Sequence, residues 1–155
     1  MLYYIRKRKG DTTMVKMIWF DMDGTLANFY GVNGWLDDLM AENTRPYEIA
    51  KGINLAPIAR QLRRLSKNGY KFGIVSWTSK GGSEKFNSEV AEVKKVWLKK
   101  HLPSVEFEQI VILPYGTPKS KVGNGILFDD EIGNRTEWKG VAYDVENIAS
   151  TLRTL

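Results

Sequence analysis

The chain reads as an α/β protein: a Rossmann-like three-layer sandwich in which helices cover a mainly parallel sheet. Two observations predict this. From residue 15 onward, short apolar runs bounded by turn residues alternate with segments of helical period, the pattern of a parallel sheet covered on both faces. In addition, the residues capable of chemistry fall just behind those runs, at the carboxyl ends of strands, where open α/β sheets bind ligands.

Residues 1–13 form a basic, partly apolar lead-in: Leu2, Tyr3, Tyr4 and Ile5, then Arg6, Lys7, Arg8 and Lys9. It suits an edge strand, a tail, or sequence upstream of a start at Met14. The first strand is predicted at 15–20. Leu55, Ile58, Ala59, Leu62 and Leu65 then recur at helical spacing, and Asn68-Gly69 is a helix stop. A second strand follows at 70–75. Ser83 can cap a long helix whose buried face is Phe86, Val90, Val93 and Trp97, with lysines in its last turns and Pro103 beyond. Strands at 109–113, 125–128 and 141–143 precede a final helix at about 146–153.

At 155 residues the chain is long enough for one well-cored domain, placed at 14–155, and short for two. With no cysteine, disulfides, thiol catalysis and Cys-based metal sites are excluded. A single histidine, His101, argues against a multi-His metal site or a Ser-His-Asp triad. No apolar stretch approaches the length of a membrane span, and the N-terminus lacks the apolar core of a signal peptide, so a cytoplasmic location and no membrane partner are expected. The net charge of +5 favours anionic ligands or nucleic acid. Arg60, Arg63, Arg64 and Lys67 share one helical segment, and Lys94, Lys95, Lys99 and Lys100 another. Both segments suit solvated helix faces, with a polyanion-tracking face as the alternative.

Asp21-Met22-Asp23-Gly24-Thr25-Leu26, directly behind the first strand, is the most informative segment. Two carboxylates one residue apart repel, unless a cation or a proton intervenes. Where the chain curls at a strand end, both can point into one crevice. Gly24 allows a sharp exit from the strand, and Thr25 adds a hydroxyl. The bland alternative is a strand followed by an Asx-Gly turn. The second strand ends in Ser76, with Thr78 and Ser79 nearby; the third runs into a segment holding Lys119 and Lys121; the fourth ends in Asp129-Asp130. Carboxylates, a hydroxyl and lysines therefore converge on one sheet edge. Oxygen donors of this kind suit Mg²⁺, a hard cation, with Asp21 and Asp129 as the natural pair.

These segments resemble, in order, the four motifs of the haloacid dehalogenase superfamily, and they frame residues 15–145. The resemblance implies an aspartyl-phosphate mechanism. Asp21 would be the nucleophile, and Asp23 the general acid/base with its backbone carbonyl on Mg²⁺. Ser76 would bind phosphoryl oxygens with Trp77 beside it, and Lys119, or Lys121, would offset charge. Asp129 and Asp130 would complete the metal site. The chain looks most like small phosphatases of this superfamily from phages and Gram-positive bacteria, some resembling 5′-deoxynucleotidases. In the superfamily a cap inserted behind the first or the third motif mainly governs specificity. Here only about 28 residues separate Leu26 from the helix at 55, which predicts a very small cap insertion at about 28–54. Its Tyr30 and Trp35, together with Trp77, could stack on a base; Trp35 could equally close the cap's own core. The expected activity is Mg²⁺-dependent hydrolysis of a phosphomonoester, a nucleotide or another small phosphate ester. A phosphatase of nucleic-acid ends, or a module that only binds phosphate or a protein, are the alternatives.

Overall fold

The alternation of Met17 and Trp19 with Ile18 and Phe20 puts apolar side chains on both faces of one strand, so this strand must lie at the centre of the sheet. In a computed structural model that describes residues 2–8 and 11–155, it does. Residues 1, 9 and 10 of the lead-in, and every side chain before Lys16, lie outside the described residues. Strand β2 (Asp11–Phe20) is longer than the run at 15–20. Its first half pairs antiparallel with β1 (Leu2–Arg8), and only its second half enters the main sheet. There it lies parallel to β3 (Tyr70–Trp77) on one side and β5 (Ile126–Phe128) on the other. With β4 (Gln109–Leu113) beside β3 and β6 (Val141–Tyr143) beside β5, the order is β4-β3-β2-β5-β6, all parallel.

One sheet face packs Ile18, Phe20, Phe72 and Ile74 against three helices. These are α3 (Leu55–Ser66) through Ile58, Leu62 and Leu65, α4 (Glu84–His101) through Trp97 and Leu98, and α6 (Ile148–Arg153) through Ile148 and Leu152. Each buried side chain of this size stabilises the fold by roughly 1.5–3 kcal/mol. The other face holds Met17, Trp19, Val75 and Leu127 under Trp138, with Val122 alongside. Gly73 is needed here: a Cβ on it would lie 2.5 Å from the Trp19 ring. A short helix behind the acidic pair, α5 (Ile132–Glu137), was not foreseen in the sequence; at six residues it shows no resolvable period.

Between the first motif and α3, the chain forms a 3-10 turn (Phe29–Gly31), α1 (Trp35–Met40) and α2 (Arg45–Ile49). The ends of this insertion are fastened together, Asn28 N–H donating to Lys51 O (2.8 Å) and Ile53 N–H to Leu26 O (2.8 Å). Its rings form a small core of their own: Phe29 lies 4.6 Å from Tyr47 and 5.5 Å from Trp35 between ring centroids. Phe86 and Val90 of α4 close that core from below. Among the described residues no helix is long and apolar enough to cross a membrane.

Candidate active site

Parallel pairing brings the acidic segments together. Asp21 N–H donates to Phe128 O (3.0 Å) and Asp129 N–H to Tyr143 O (3.2 Å), so both acids leave adjacent strands at the same height. Between them lies Lys119, only 1% exposed, with Nζ 2.9 Å from Asp21 Oδ1 and 2.7 Å from Asp129 Oδ2. Lys121 is exposed. Burial works against the Lys119 ammonium, but the two carboxylates more than offset it and hold its pKa above the ordinary value. Asp129 is also held by Asn134 Nδ2 (3.1 Å) and the Glu131 N–H (2.9 Å), while Arg135 donates to its backbone carbonyl (3.0 Å).

The turn behind Asp21 is built around a close approach. Gly24 has φ +81°, and a Cβ there would lie 2.4 Å from Asp130 Oδ2. Glycine is therefore required twice, for the left-handed backbone and for the space Asp130 occupies. The Thr25 hydroxyl lies 3.3 Å from Asp21 Oδ2 and 3.4 Å from Asp130 Oδ1. Asp21, Asp129 and Asp130 each offer one carboxylate oxygen, all within 4.8 Å of one another. Burial, then the Asp21 charge, pushes Asp130 up to about 8 and Asp129 up to about 6. Four carboxylates (Asp21, Asp23, Asp129, Asp130) face two ammonium groups (Lys94, Lys119), which leaves two negative charges when all are ionised. An all-oxygen donor set with that excess fits a hard divalent cation.

The second ammonium comes from a residue the sequence pattern assigned to a basic helix face. Lys94 is 1% exposed, and its Nζ donates to Asp23 Oδ2 (2.9 Å), Ser76 Oγ (2.8 Å) and Trp77 O (2.7 Å). The helical period carried the correction: Lys94 lies four residues after Val90 and three before Trp97, on the buried stripe, whereas Lys99 and Lys100 are exposed. Burial pushes the Asp23 carboxyl above its ordinary value against the pull of Lys94, and the Asp21 charge adds to the rise.

Above these groups opens a cavity of about 600 Å³. Asp21, Asp23, Lys119 and Asn134 line its floor, and Trp77, Thr78, Ser79 and Tyr115 one wall. Tyr30, Trp35, Leu36 and Met40 of the 28–54 insertion form the facing wall. Ser76 does not line it, because its side chain points down to Lys94 on the face of Ile74; Thr78 and Ser79, farther along the chain, do. Trp77 is anchored by its Nε1–H to Thr117 O (2.8 Å), and its ring lies 5.2 Å from Lys119 Nζ and 4.9 Å from Tyr115. The rings left most open are Tyr30 and Tyr115, 49% and 47% exposed. Across the mouth, the Glu42 carboxylate accepts from the Ser83 N–H (2.7 Å) and hydroxyl (2.8 Å) at the start of α4. Asn134, Tyr115 and Glu42 carried no sequence signal of a site, since each is defined only by what it meets in space.

No family model and no curated protein matches the sequence. Solved structures match the fold. A hydrolase from Streptococcus pneumoniae superposes with a TM-score of 0.56 at 13% identity, covering 90% of this chain and 98% of its own. The D,D-heptose 1,7-bisphosphate phosphatase of Burkholderia thailandensis gives 0.54 at 9% identity, covering 90% and 97%. That of B. bronchiseptica, complexed with magnesium and phosphate, gives 0.52 at 9% identity over the same shares, 90% and 97%. At such identities the likeness is one of architecture: the chain has the α/β fold of these hydrolases, over nearly the whole of their length.

Proposed function

We propose that the protein is a Mg²⁺-dependent phosphomonoester hydrolase that works through an aspartyl-phosphate on Asp21. The observation that carries this reading is Lys119, buried between Asp21 and Asp129 at the floor of the cavity, with Asp23 two residues from Asp21. An ammonium so placed steadies a carboxylate for attack and offsets charge on an incoming phosphoryl group. In this reading residues 14–155 form one catalytic domain, and 28–54 its small cap.

Asp21 attacks phosphorus as the bond to the leaving oxygen breaks, and Asp23 gives that oxygen its proton. Asp23, now a carboxylate, takes a proton from water. The water oxygen attacks phosphorus, and the bond to Asp21 breaks to release inorganic phosphate. Thr78 and Ser79, which line the cavity, are the direct side-chain donors to the phosphoryl oxygens, and Ser76 acts beneath them through Lys94. Asp21, Asp129 and Asp130 would hold Mg²⁺, together with the backbone carbonyl of Asp23. Bound there, the ion supplies neutralising charge and a template for phosphoryl oxygens.

The substrate is a nucleotide or another small phosphate ester. The cavity above Asp21 and Lys119 is lined by two open aromatic rings, Tyr115 and Tyr30, which suit contact with a flat group. The test is phosphate release from nucleoside monophosphates, sugar phosphates and 5′- or 3′-phosphorylated oligonucleotides. Release that needs Mg²⁺, stops with chelator and favours mononucleotides supports the proposal. Full activity in excess EDTA overturns the metal assignment. A preference for oligonucleotides that falls steeply with salt would move the substrate to nucleic-acid ends. No release from any ester would leave a binding module.

A further inference from the structure

We infer that Lys94 is a positioning residue for Asp23, holding the proton-transferring carboxylate at one fixed attitude to the leaving group. The inference rests on the phosphatase reading of the same site. An ammonium has three protons to donate, and all three of Lys94 are used: on Asp23 Oδ2, on Ser76 Oγ and on Trp77 O. None of these acceptors lies on its own helix. They belong to the ends of β2 and β3, so Lys94 pins the two strand ends that frame the cavity to the middle of α4. Its neighbours on the buried stripe of α4, Val90, Trp97 and Leu98, are apolar and supply no partner for a charge. The Tyr47 ring of the cap covers it from the other side, 5.1 Å from Nζ to the centroid.

A lysine in that position is costly if it serves only to fill space, because a buried ion pair is commonly matched or bettered by apolar packing. Geometry explains its presence better. Asp23 lines the cavity, yet Oδ2 is engaged by Lys94, which leaves Oδ1 as the oxygen turned to substrate. A carboxyl that must first donate and then accept a proton at one point gains from having a single orientation. Lys119 supports Asp21 and Asp129 from one side of the floor, while Lys94 supports Asp23 from the other, through a different helix and a different strand.

The test compares two esters with the same phosphoryl group, a dinitrophenyl phosphate, whose leaving group departs without a proton, and a nucleoside monophosphate, whose alkoxide needs one. In Lys94→Met, kcat/KM for the nucleoside monophosphate should fall by about the 10²-fold that a misplaced acid costs, and that for the dinitrophenyl ester by less than about threefold. In an Asp23→Asn background, Lys94→Met should add nothing further. Ser76→Ala, which removes only one acceptor, provides the same comparison should Lys94→Met fail to fold. It should give a smaller loss, again confined to the nucleoside monophosphate. Equal losses on both esters in whichever variant folds would overturn the inference and make the cluster a structural one. A wild-type protein that hydrolyses neither ester would instead refute the phosphatase reading itself.

Discussion

The floor and the wall of the cavity are built on different principles. At the floor, strand ends place the acids and short polar contacts fix most of the charged groups: Asp21, Lys119 and Asp129 in one chain of ion pairs, and Asp23 and Lys94 in another. The wall contributed by residues 28–54 is held by ring packing among Phe29, Tyr30, Trp35 and Tyr47, and by the Glu42 carboxylate on Ser83. Hydrogen bonds to charged groups are directional and weaken steeply with misalignment, whereas aromatic packing tolerates a range of tilts. The contrast teaches a division of labour. Under the proposed function, the floor would keep reacting groups within tenths of an ångström, and the wall would adapt to whatever the phosphate carries.

Substitutions at the floor and at the wall, and one change of condition, would break or sharpen that contrast. The largest effect belongs to the floor: Asp21→Asn should abolish turnover, since an amide cannot serve as the nucleophile, while leaving the melting temperature near or above that of the parent because one of the crowded carboxylates is gone. Near-normal turnover in this variant would show that Asp21 does not attack phosphorus. Next comes Gly24→Ala. Its Cβ would meet Asp130 Oδ2 at 2.4 Å in a backbone with φ +81°. Strain of about 1–2 kcal/mol is expected from the left-handed conformation alone. Displacement of Asp130 should also raise the Mg²⁺ concentration for half-maximal activity by about tenfold or more; an unchanged Mg²⁺ titration would remove Asp130 from the metal site.

The wall should respond differently. Tyr115→Ala and Tyr30→Ala should raise KM for nucleotides with little change in kcat, by the roughly 5- to 150-fold that corresponds to about 1–3 kcal/mol of base stacking. Trp77→Ala should affect both parameters, because that ring also rests against Lys119. If Tyr115→Ala and Tyr30→Ala lower kcat and leave KM alone, the wall takes part in the chemistry and the division fails.

The smallest effect is a pH dependence of stability in the metal-free protein. Asp129 and Asp130 are raised, to about 6 and about 8, so the folded state holds protons that the unfolded chain releases near pH 4. Their stabilising contribution is present below pH 4 and is lost as pH rises through about 6 and then about 8. Melting temperature in EDTA should therefore decline across that window, less so in Asp130→Asn. Saturating Mg²⁺, which would bind the ionised carboxylates under the proposed metal assignment, should stabilise most at the alkaline end. Parallel curves for the parent and Asp130→Asn would show that Asp130 is not the group responsible.

Much of the floor was legible in the sequence because its signals are local. Asp21 and Asp23 follow an apolar strand and precede a glycine that only a sharp turn needs, and Asp129-Asp130 follow another strand. Once parallel pairing is inferred from strand–helix alternation, their meeting is forced. The bounds of β4 and β6, and the Ser83 cap, were legible for the same reason. The first four residues of β2 were not, because residues 11–14 become strand by pairing with β1 rather than by any run of apolar residues.

What the sequence determined by itself was thus the class of fold and the identity of the acids, properties set by period-2 and period-3.6 patterning and by turn chemistry over a few residues. Only the tertiary structure decided which lysine stands beside which acid. Lys119 is 98 positions from Asp21 and Lys94 is 71 from Asp23. Whether a lysine on α4 ends in solvent or under Asp23 depends on how that helix is rotated and docked against β3. The same holds for Ser76 and its neighbours: strand register turns Ser76 away from the cavity, while Thr78 and Ser79, just beyond the strand, line it. Such choices rest on packing between segments far apart in the chain, and no local pattern encodes them.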